Sequence, residues 1–204
     1  MLETGRVLFA QMLEGLLAPR ASARRVLDQD WGLDAAVLFA LLAYALSAIF
    51  ATIIPGARPD DVVGSFVLLH IINMVVQVLV VGATGSLIWG IGRMFGGSGT
   101  RDQAMVLFGW HTLVMVFLAP FFQIGSAAMR ATLPEDADLA NGMPVDMSEA
   151  PGWVVLMLAT GVAAWAWLLS LYTAELHGFR NPWGVLGVMV AVAMLFSILL
   201  LGVG

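Results

Sequence analysis

The feature that most constrains this chain is a series of apolar runs, each long enough to cross a lipid bilayer. A transmembrane helix needs about 20 predominantly apolar residues to cover roughly 30 Å of hydrocarbon. Of the 204 residues, 60% are hydrophobic and 11% are charged, and the mean hydropathy is +0.92. A soluble domain carries about 25% charged residues, so the composition excludes an ordinary globular protein.

Five apolar runs predict an all-α fold, a polytopic transmembrane bundle of five spans. The second run is about 46 Å long at 1.5 Å per residue, so it must tilt or project beyond the bilayer. The chain therefore divides into an N-terminal segment, residues 1–32, and a five-span membrane domain, residues 33–204. The spans are predicted at residues 33–54, 62–92, 103–129, 153–172 and 183–203.

The N-terminal segment contains no span but has the pattern of an amphipathic helix. Apolar residues between Val7 and Leu17 recur at helical spacing, and Pro19 ends the run. A second short helix is predicted over 21–29. Both helices are expected either in the interfacial headgroup region or packed against the ends of the bundle. We favour packing, because such short helices need an apolar surface to be stable.

The arginine distribution predicts the orientation, because cytoplasmic loops retain Lys and Arg. The chain has no lysine, and two of its nine arginines, Arg58 and Arg130, lie on one side of the predicted spans. We therefore expect a cytoplasmic N-terminus and a C-terminus outside. The absence of lysine from a chain rich in Ala, Gly and Val indicates a bacterial inner membrane. The seven arginines on the other side are Arg6, Arg20, Arg24, Arg25, Arg93, Arg101 and Arg180.

Glycines mark the connection between spans two and three. The stretch from Gly96 and Gly97 to Gly99 predicts a flexible cytoplasmic turn, and Thr100 with Gln103 predicts a capping box that begins span three. The other long connections are expected to be a tight hairpin and a solvated acidic loop. They cover residues 55–61 and 129–152, respectively.

Polar residues within the spans are functional candidates by default, because they are costly in lipid. His70, Asn73 and Gln77 fall on one face of span two, and His111 lies in span three, where Pro120 predicts a kink. A stripe facing His111 would line a polar pathway or a ligand pocket. Interhelical hydrogen bonding, at about 0.6 kcal/mol per bond, is the alternative that we favour.

Small residues spaced by four predict close contacts between helices. Gly82, Ser86 and Gly90 form such a run on span two, and Ala159 and Ala163 form another on span four. Small residues let helix backbones approach each other where lipid supplies no hydrophobic drive. We favour packing within the bundle, with homodimerisation as the second possibility.

The sequence lacks the patterns that carry chemistry. With no cysteine there is no thiolate site, and neither HExxH, GxSxG nor GxxxxGK[ST] occurs. We therefore expect no catalytic residues, no metal and no cofactor, and hence no enzymatic activity. The net charge of −5 and the absence of a basic run exclude a nucleic-acid partner.

The stretch 91–110 resembles the YIP family of Ypt/Rab-interacting membrane proteins. Its Gly96-Gly97 turn follows a long second span, and its Gly109-Trp110 pair lies early in the third. Residues 176–180 resemble the family's short turn before span five. The resemblance implies a five-span fold and a prokaryotic member. Family members that bind small GTPases do so through a long N-terminal region, and only 32 residues precede span one here.

Two functions remain open on these grounds. The first is a non-enzymatic membrane protein that organises an inner-membrane assembly or is a subunit of one. It would contact the lipid bilayer and a membrane-protein partner or a second copy of itself. The alternative is a small transporter, channel or lipid-handling protein that uses the polar stripe on span two.

Overall fold

The computed structural model is all-helical over the residues that the structure describes, which are 2–53, 63–130 and 151–201. This confirms the predicted fold class. The helices are α1 (Leu2–Leu17), α2 (Pro19–Asp28), α3 (Leu33–Ile53), α4 (Val63–Met94), α5 (Arg101–Val114), a 3₁₀ turn (Met115–Leu118), α6 (Ala119–Arg130), α7 (Gly152–His177) and α8 (Pro182–Leu201).

Four helical segments are long and apolar enough to cross a membrane. The fourth span extends beyond its predicted end at residue 172, because α7 continues to His177. The fifth predicted span coincides with α8. Its segment Pro182–Val192 is apolar, and the fifth crossing stays a prediction. The four spanning segments are Leu33–Ile53, Val67–Met94, Arg101–Gly125 and Gly152–His177.

The centre of the bundle is α5, which packs against α3, α4 and α7. Within the most apolar window of each span, 56% of the α5–α6 segment is buried, compared with 6% of α4. Trp110 and Leu113 are buried in this core, and the rings of Phe39 and Trp110 meet edge to face at 5.3 Å. The glycine of the predicted Gly109-Trp110 pair lets α3 approach, since a Cβ on Gly109 would lie 3.0 Å from the Ala36 carbonyl.

The third span is broken in its middle. The 3₁₀ turn Met115–Leu118 interrupts the α-helix immediately before Pro120. Proline cannot donate a hydrogen bond to the carbonyl four residues earlier, which is that of Val116. The predicted break is therefore present, and it takes the form of a tightened turn.

The two N-terminal helices pack against the bundle, as the favoured interpretation predicts. The Tyr172 hydroxyl on α7 donates to the Gly15 carbonyl at 3.0 Å. The indole N–H of Trp110 donates to the buried Ser22 hydroxyl at 2.9 Å. These two bonds fix α1 and α2, respectively, to the core. The outward side of α1 remains apolar and exposed, at Val7, Phe9, Leu13 and Leu17.

One end of the bundle, which we call the basic end, collects six of the described arginines. Here α4 and α7 end, and α3, α5 and α8 begin. Because Ala36 lies against Gly109, α5 begins about five residues, or about 7 Å, beyond the start of α3. The six arginines are Arg20, Arg24, Arg25, Arg93, Arg101 and Arg180.

The remaining predicted connections cannot be compared in full. The predicted hairpin at 55–61 lies outside the described residues, as does the acidic loop from residue 131 to residue 150. The capping box at the start of α5 is confirmed. Thr100 accepts from the Gln103 backbone, and the Gln103 side chain accepts from the Thr100 backbone.

Candidate functional site

A cavity of about 320 Å³, which we call the polar cavity, opens between the spans and is lined by residues of α3, α4, α5, α6 and α7. It sits beside the broken segment of the third span, whose Met115 and Val116 also line it. The lining therefore combines apolar walls with a small number of hydrogen-bonding groups, as small-molecule sites generally do. The polar side chains around it are Tyr44, Ser47, Gln77, Thr112 and Gln123.

Gln123 is the most unusual of these groups. Its amide nitrogen donates to the Ser47 carbonyl at 2.9 Å, which ties α6 to α3. Its amide oxygen is buried and has no hydrogen-bond partner among the residues that the structure describes. The hydroxyl of Thr112 donates to the Phe108 carbonyl in its own helix. Since an unsatisfied buried acceptor costs about 1–3 kcal/mol, the Gln123 oxygen is a site where a hydrogen-bond donor would bind favourably.

The structure brings only part of the predicted stripe to this cavity. Gln77 lines it, and His70 is hydrogen-bonded through Nδ1 to the Tyr44 hydroxyl. Asn73 is half-buried and is not among the residues that line the cavity. The stripe on α4 therefore meets α3 at Tyr44, a partner that the polar spacing within α4 could not identify.

His111 lies apart from this cavity, contrary to the prediction that the stripe faces it. It is fully buried, and its Nε2 lies 3.3 Å from the Trp165 carbonyl, while its Nδ1 has no hydrogen-bond partner. Consecutive helical residues point about 100° apart. Thr112 therefore lines the cavity, and His111 packs against Trp165 and Tyr172 of α7.

Among the described residues, few members of the small-residue runs meet a neighbouring helix, although Ser86 accepts a hydrogen bond from Arg101 of α5. Packing within the bundle therefore stays a prediction for these runs. A Cβ on Gly82 or Gly90 would meet no atom within 4 Å, and Ser86 donates to the Gly82 carbonyl of its own helix. Ala159 and Ala163 are exposed on α7. Spacing by four identifies a helix face but does not say whether a neighbour in the same chain covers it.

On α4 and in the turn that follows it, other glycines do mediate packing. A Cβ on Gly85 would lie 2.7 Å from the Met105 backbone, so this glycine lets α4 and α5 approach. A Cβ on Gly92 or Gly97 would overlap the ring of His177. The seven-residue spacing of Gly85 and Gly92, two full helical turns, was a signal for this contact face in the sequence. No pattern in the sequence indicated that His177 would pack against these glycines.

Matching glycine caps end α4 and α7 at the basic end. Gly96 has a φ of 81°, and the amide of Gly97 donates to the Gly92 carbonyl at 2.8 Å. Gly178 has a φ of 71°, and the amide of Phe179 donates to the Ala174 carbonyl at 2.7 Å. Both are Schellman motifs, which require a left-handed residue that glycine supplies without strain.

Ion pairs hold the N-terminal helices at the same end. Arg24 on α2 pairs with Glu175 near the end of α7, and this hydrogen-bonded carboxylate raises the pKa of the Arg24 guanidinium. Arg25 pairs with Glu14 of α1. Arg20 donates to the carbonyl of Arg180 at 3.0 Å. Both predicted cytoplasmic turns and the N-terminal segment are therefore parts of one packed surface.

This surface contains the residues on which the family resemblance rests. The glycine turn at 96–99 contacts Leu176 and His177 directly. The sequence matches the Yip1 domain over residues 14–203. The chain belongs to the Yip1 domain family. No curated protein and no solved structure matches the chain significantly.

As a multi-pass membrane protein of the Yip1 family, the chain offers hydrogen bonding and helix contacts at these sites. Within 2–53, 63–130 and 151–201, no group of three or more His, Asp or Glu side chains is placed to hold a metal ion. The cavity can bind a small polar group through Gln77 and Gln123. The open face of α4, which we call the Gly82 face (Gly82, Ser86 and Gly90), can accept another helix.

Proposed function

We propose that this Yip1-family protein is a non-enzymatic organiser or subunit of a bacterial inner-membrane assembly. In this proposal the Gly82 face binds a helix of a partner membrane protein or of a second copy. The supporting observation is that Gly82 and Gly90 are open, although Gly85 on the same helix is in tight contact with α5. Small residues in a spanning helix lower the distance at which a second helix can pack.

The surroundings of the Gly82 face are suited to such a contact. The exposed flanks of α4 are apolar, with Leu79 at 65% and Leu87 at 48% relative exposure. Ser86 accepts a hydrogen bond from Arg101 at 3.1 Å, so its hydroxyl is held against the bundle. A partner helix would therefore meet a shallow groove of glycine backbone between aliphatic side chains.

The experiment is detergent pull-down with quantitative mass spectrometry of the wild type and of a Gly82→Leu/Gly90→Leu variant. Gly187→Leu is the matched control, because Gly187 on α8 is equally open. We expect one set of membrane partners, or self-association, to be lost in the double variant and retained in the control. A strictly monomeric wild type without partners, or equal recovery from all three proteins, contradicts the proposal.

We also propose that the basic end faces the cytoplasm, which places the N-terminus inside and the C-terminus outside. The arginine asymmetry of the sequence supports this orientation. So does the clustering at one end of the bundle of Arg20 and Arg24 of α2, Arg93 of α4 and Arg180, which come from three distant parts of the sequence.

The polar cavity favours a second candidate function, the transport or binding of a small polar molecule or ion. Here the supporting observation is the unpartnered amide oxygen of Gln123 opposite Gln77 in a 320 Å³ space. Gln77→Leu and Gln123→Leu should then abolish flux in proteoliposomes. Asn73→Leu, on the same helix as Gln77 but off the cavity wall, should not. Equal flux in all variants contradicts this function.

A further inference from the structure

A second and larger cavity, of about 740 Å³, opens between α4, α7 and α8. We call it the α8 groove. Its volume is within the range of about 300–1,000 Å³ typical of small-molecule sites. The walls are formed by apolar side chains, among them Leu87 and Ile91 of α4 and Val185 and Val188 of α8. The α8 groove lies on a different flank of α4 from the Gly82 face, so the two surfaces are independent.

The length of the α8 groove restricts what can occupy it. Its lining on α4 runs from Phe95 to Thr84 and on α7 from Thr173 to Trp165. From Thr84 to Phe95, just past the end of α4, this is eleven residues, or about 16 Å along the helix axis. This is half of the roughly 30 Å hydrocarbon core. An acyl chain of one leaflet has this extent, whereas a transmembrane helix needs the full thickness.

The mouth of the α8 groove is polar and positively charged. Arg180 and Asn181 line it between the end of α7 and the start of α8. The Arg20 side chain lies beside them, bonded to the Arg180 carbonyl. Among the described residues that line the groove, none is acidic, and nearby Glu175 is occupied by Arg24. The Arg180 guanidinium is therefore available to an anionic group from outside the chain.

A polar group also borders the groove near its mouth. Thr173 is 7% exposed, and its hydroxyl has no hydrogen-bond partner. Thr112 and Thr160, by contrast, bond to carbonyls in their own helices. Thr173 therefore adds a hydrogen-bonding group to the groove wall close to the arginine-lined mouth.

We propose that one anionic glycerophospholipid binds in the α8 groove. Its headgroup phosphate lies at Arg180, and one acyl chain lies between α4, α7 and α8 down to Trp165. Basic sites between spanning helices at the cytoplasmic surface bind anionic lipid headgroups by the same electrostatics. This inference does not depend on the proposed assembly role, because Gly82, Ser86 and Gly90 do not line the groove.

The test uses nanodiscs that contain phosphatidylglycerol or phosphatidylethanolamine, each with brominated acyl chains, which quench nearby tryptophan. We expect the brominated chains to quench a component of the tryptophan fluorescence that is absent from the Trp165→Phe variant. We also expect one retained lipid in the native mass spectrum after detergent extraction. Gly184→Leu should reduce lipid retention at least tenfold, because Gly184 lines the groove and a side chain there enters open space.

Two further variants separate this site from ordinary annular lipid. Gly187→Leu changes an open glycine on the same helix that does not line the groove, and it should retain the lipid. Arg180→Gln should lower the preference for phosphatidylglycerol over phosphatidylethanolamine about fivefold, the effect of one charge near the membrane surface. The Arg20 bond to the Arg180 backbone survives this change.

Three results would overturn the proposal. The first is equal lipid retention by Gly184→Leu and Gly187→Leu, which indicates annular lipid only. The second is a wild type that retains no lipid. The third is a wild-type dimer that Gly184→Leu dissociates, which indicates that a second copy of the chain fills the groove.

Discussion

The imidazole of His177 fills the space that a side chain at Gly92 would need. This contact joins the end of α7 to the end of α4. His177 is 3% exposed, and its ring stacks on Phe179 with 5.5 Å between centroids. The pair therefore sets the distance between two spanning helices at the basic end, where the glycine caps also lie.

Gly92→Ala should destabilise the protein, because its Cβ overlaps the His177 ring. Overpacking of this kind costs about 1–3 kcal/mol. Thermal unfolding in detergent measures the effect. Gly90→Ala, two residues earlier on α4 and in open space, should be neutral or slightly stabilising. Adding His177→Ala to Gly92→Ala should restore part of the loss, and no restoration would show that the contact is not the cause.

Tyr172→Phe should loosen α1 from the bundle. The substitution removes the hydroxyl that donates to the Gly15 carbonyl, at a cost of about 1 kcal/mol. Hydrogen exchange of the α1 amides should accelerate as a result. Tyr44→Phe removes the other tyrosine hydroxyl, which bonds to His70 and not to α1. Faster exchange of α1 in both variants would mean that the Gly15 bond has no specific role.

Ser22→Ala should remove the hydroxyl that accepts from the buried indole N–H of Trp110. Such a loss costs about 1–3 kcal/mol, and chemical or thermal unfolding should show it. Ser170→Ala provides the comparison, because the buried Ser170 hydroxyl bonds only to the Trp167 carbonyl of its own helix. We expect this second change to cost less, and equal losses would contradict a special role for the bond between α2 and α5.

The proposed orientation predicts opposite accessibility of two engineered cysteines. The natural chain contains none, so Ser98→Cys and Ser148→Cys each introduce a single thiol. A membrane-impermeant maleimide added to intact cells should label Ser148→Cys alone, and Ser98→Cys should react only after lysis. Labelling of both thiols in intact cells, or of Ser98→Cys alone, would contradict the proposed topology.

Much of the fold could be predicted because a helix that crosses the bilayer needs about 20 predominantly apolar residues, and such runs are visible in the sequence. The start of α3 at Leu33 and the end of α4 within two residues of its predicted position follow from the apolar runs. The break at Pro120 and the capping box at Thr100 follow from local backbone chemistry. The end of α7 was misplaced, because polar Glu175 continues the helix through its ion pair with Arg24 of α2.

The candidate sites were harder to predict, because they depend on which helix faces which. Gln77 was identified as polar, but its neighbours Tyr44 and Gln123 come from α3 and α6, whose rotations are set by packing. Gly82 and Gly85 are glycines of the same helix and lie three residues apart, yet of these two only Gly85 contacts α5. The spacing of Gly85 and Gly92 indicates a shared helix face, but which face of α4 a neighbour covers is decided by tertiary structure.

The staggered starts of α3 and α5 have a consequence for recognition. Because α5 begins about 7 Å beyond α3, the surface of the basic end is stepped. Contacts between α2, α7 and the glycine-capped end of α4 hold this surface together. A binding partner that approaches from this side meets a surface formed by helix ends, so docking there does not require a loop of this chain to become ordered. Any shift of α4 against α7 would change the shape of that surface, because His177 of α7 packs against both Gly92 and Gly97.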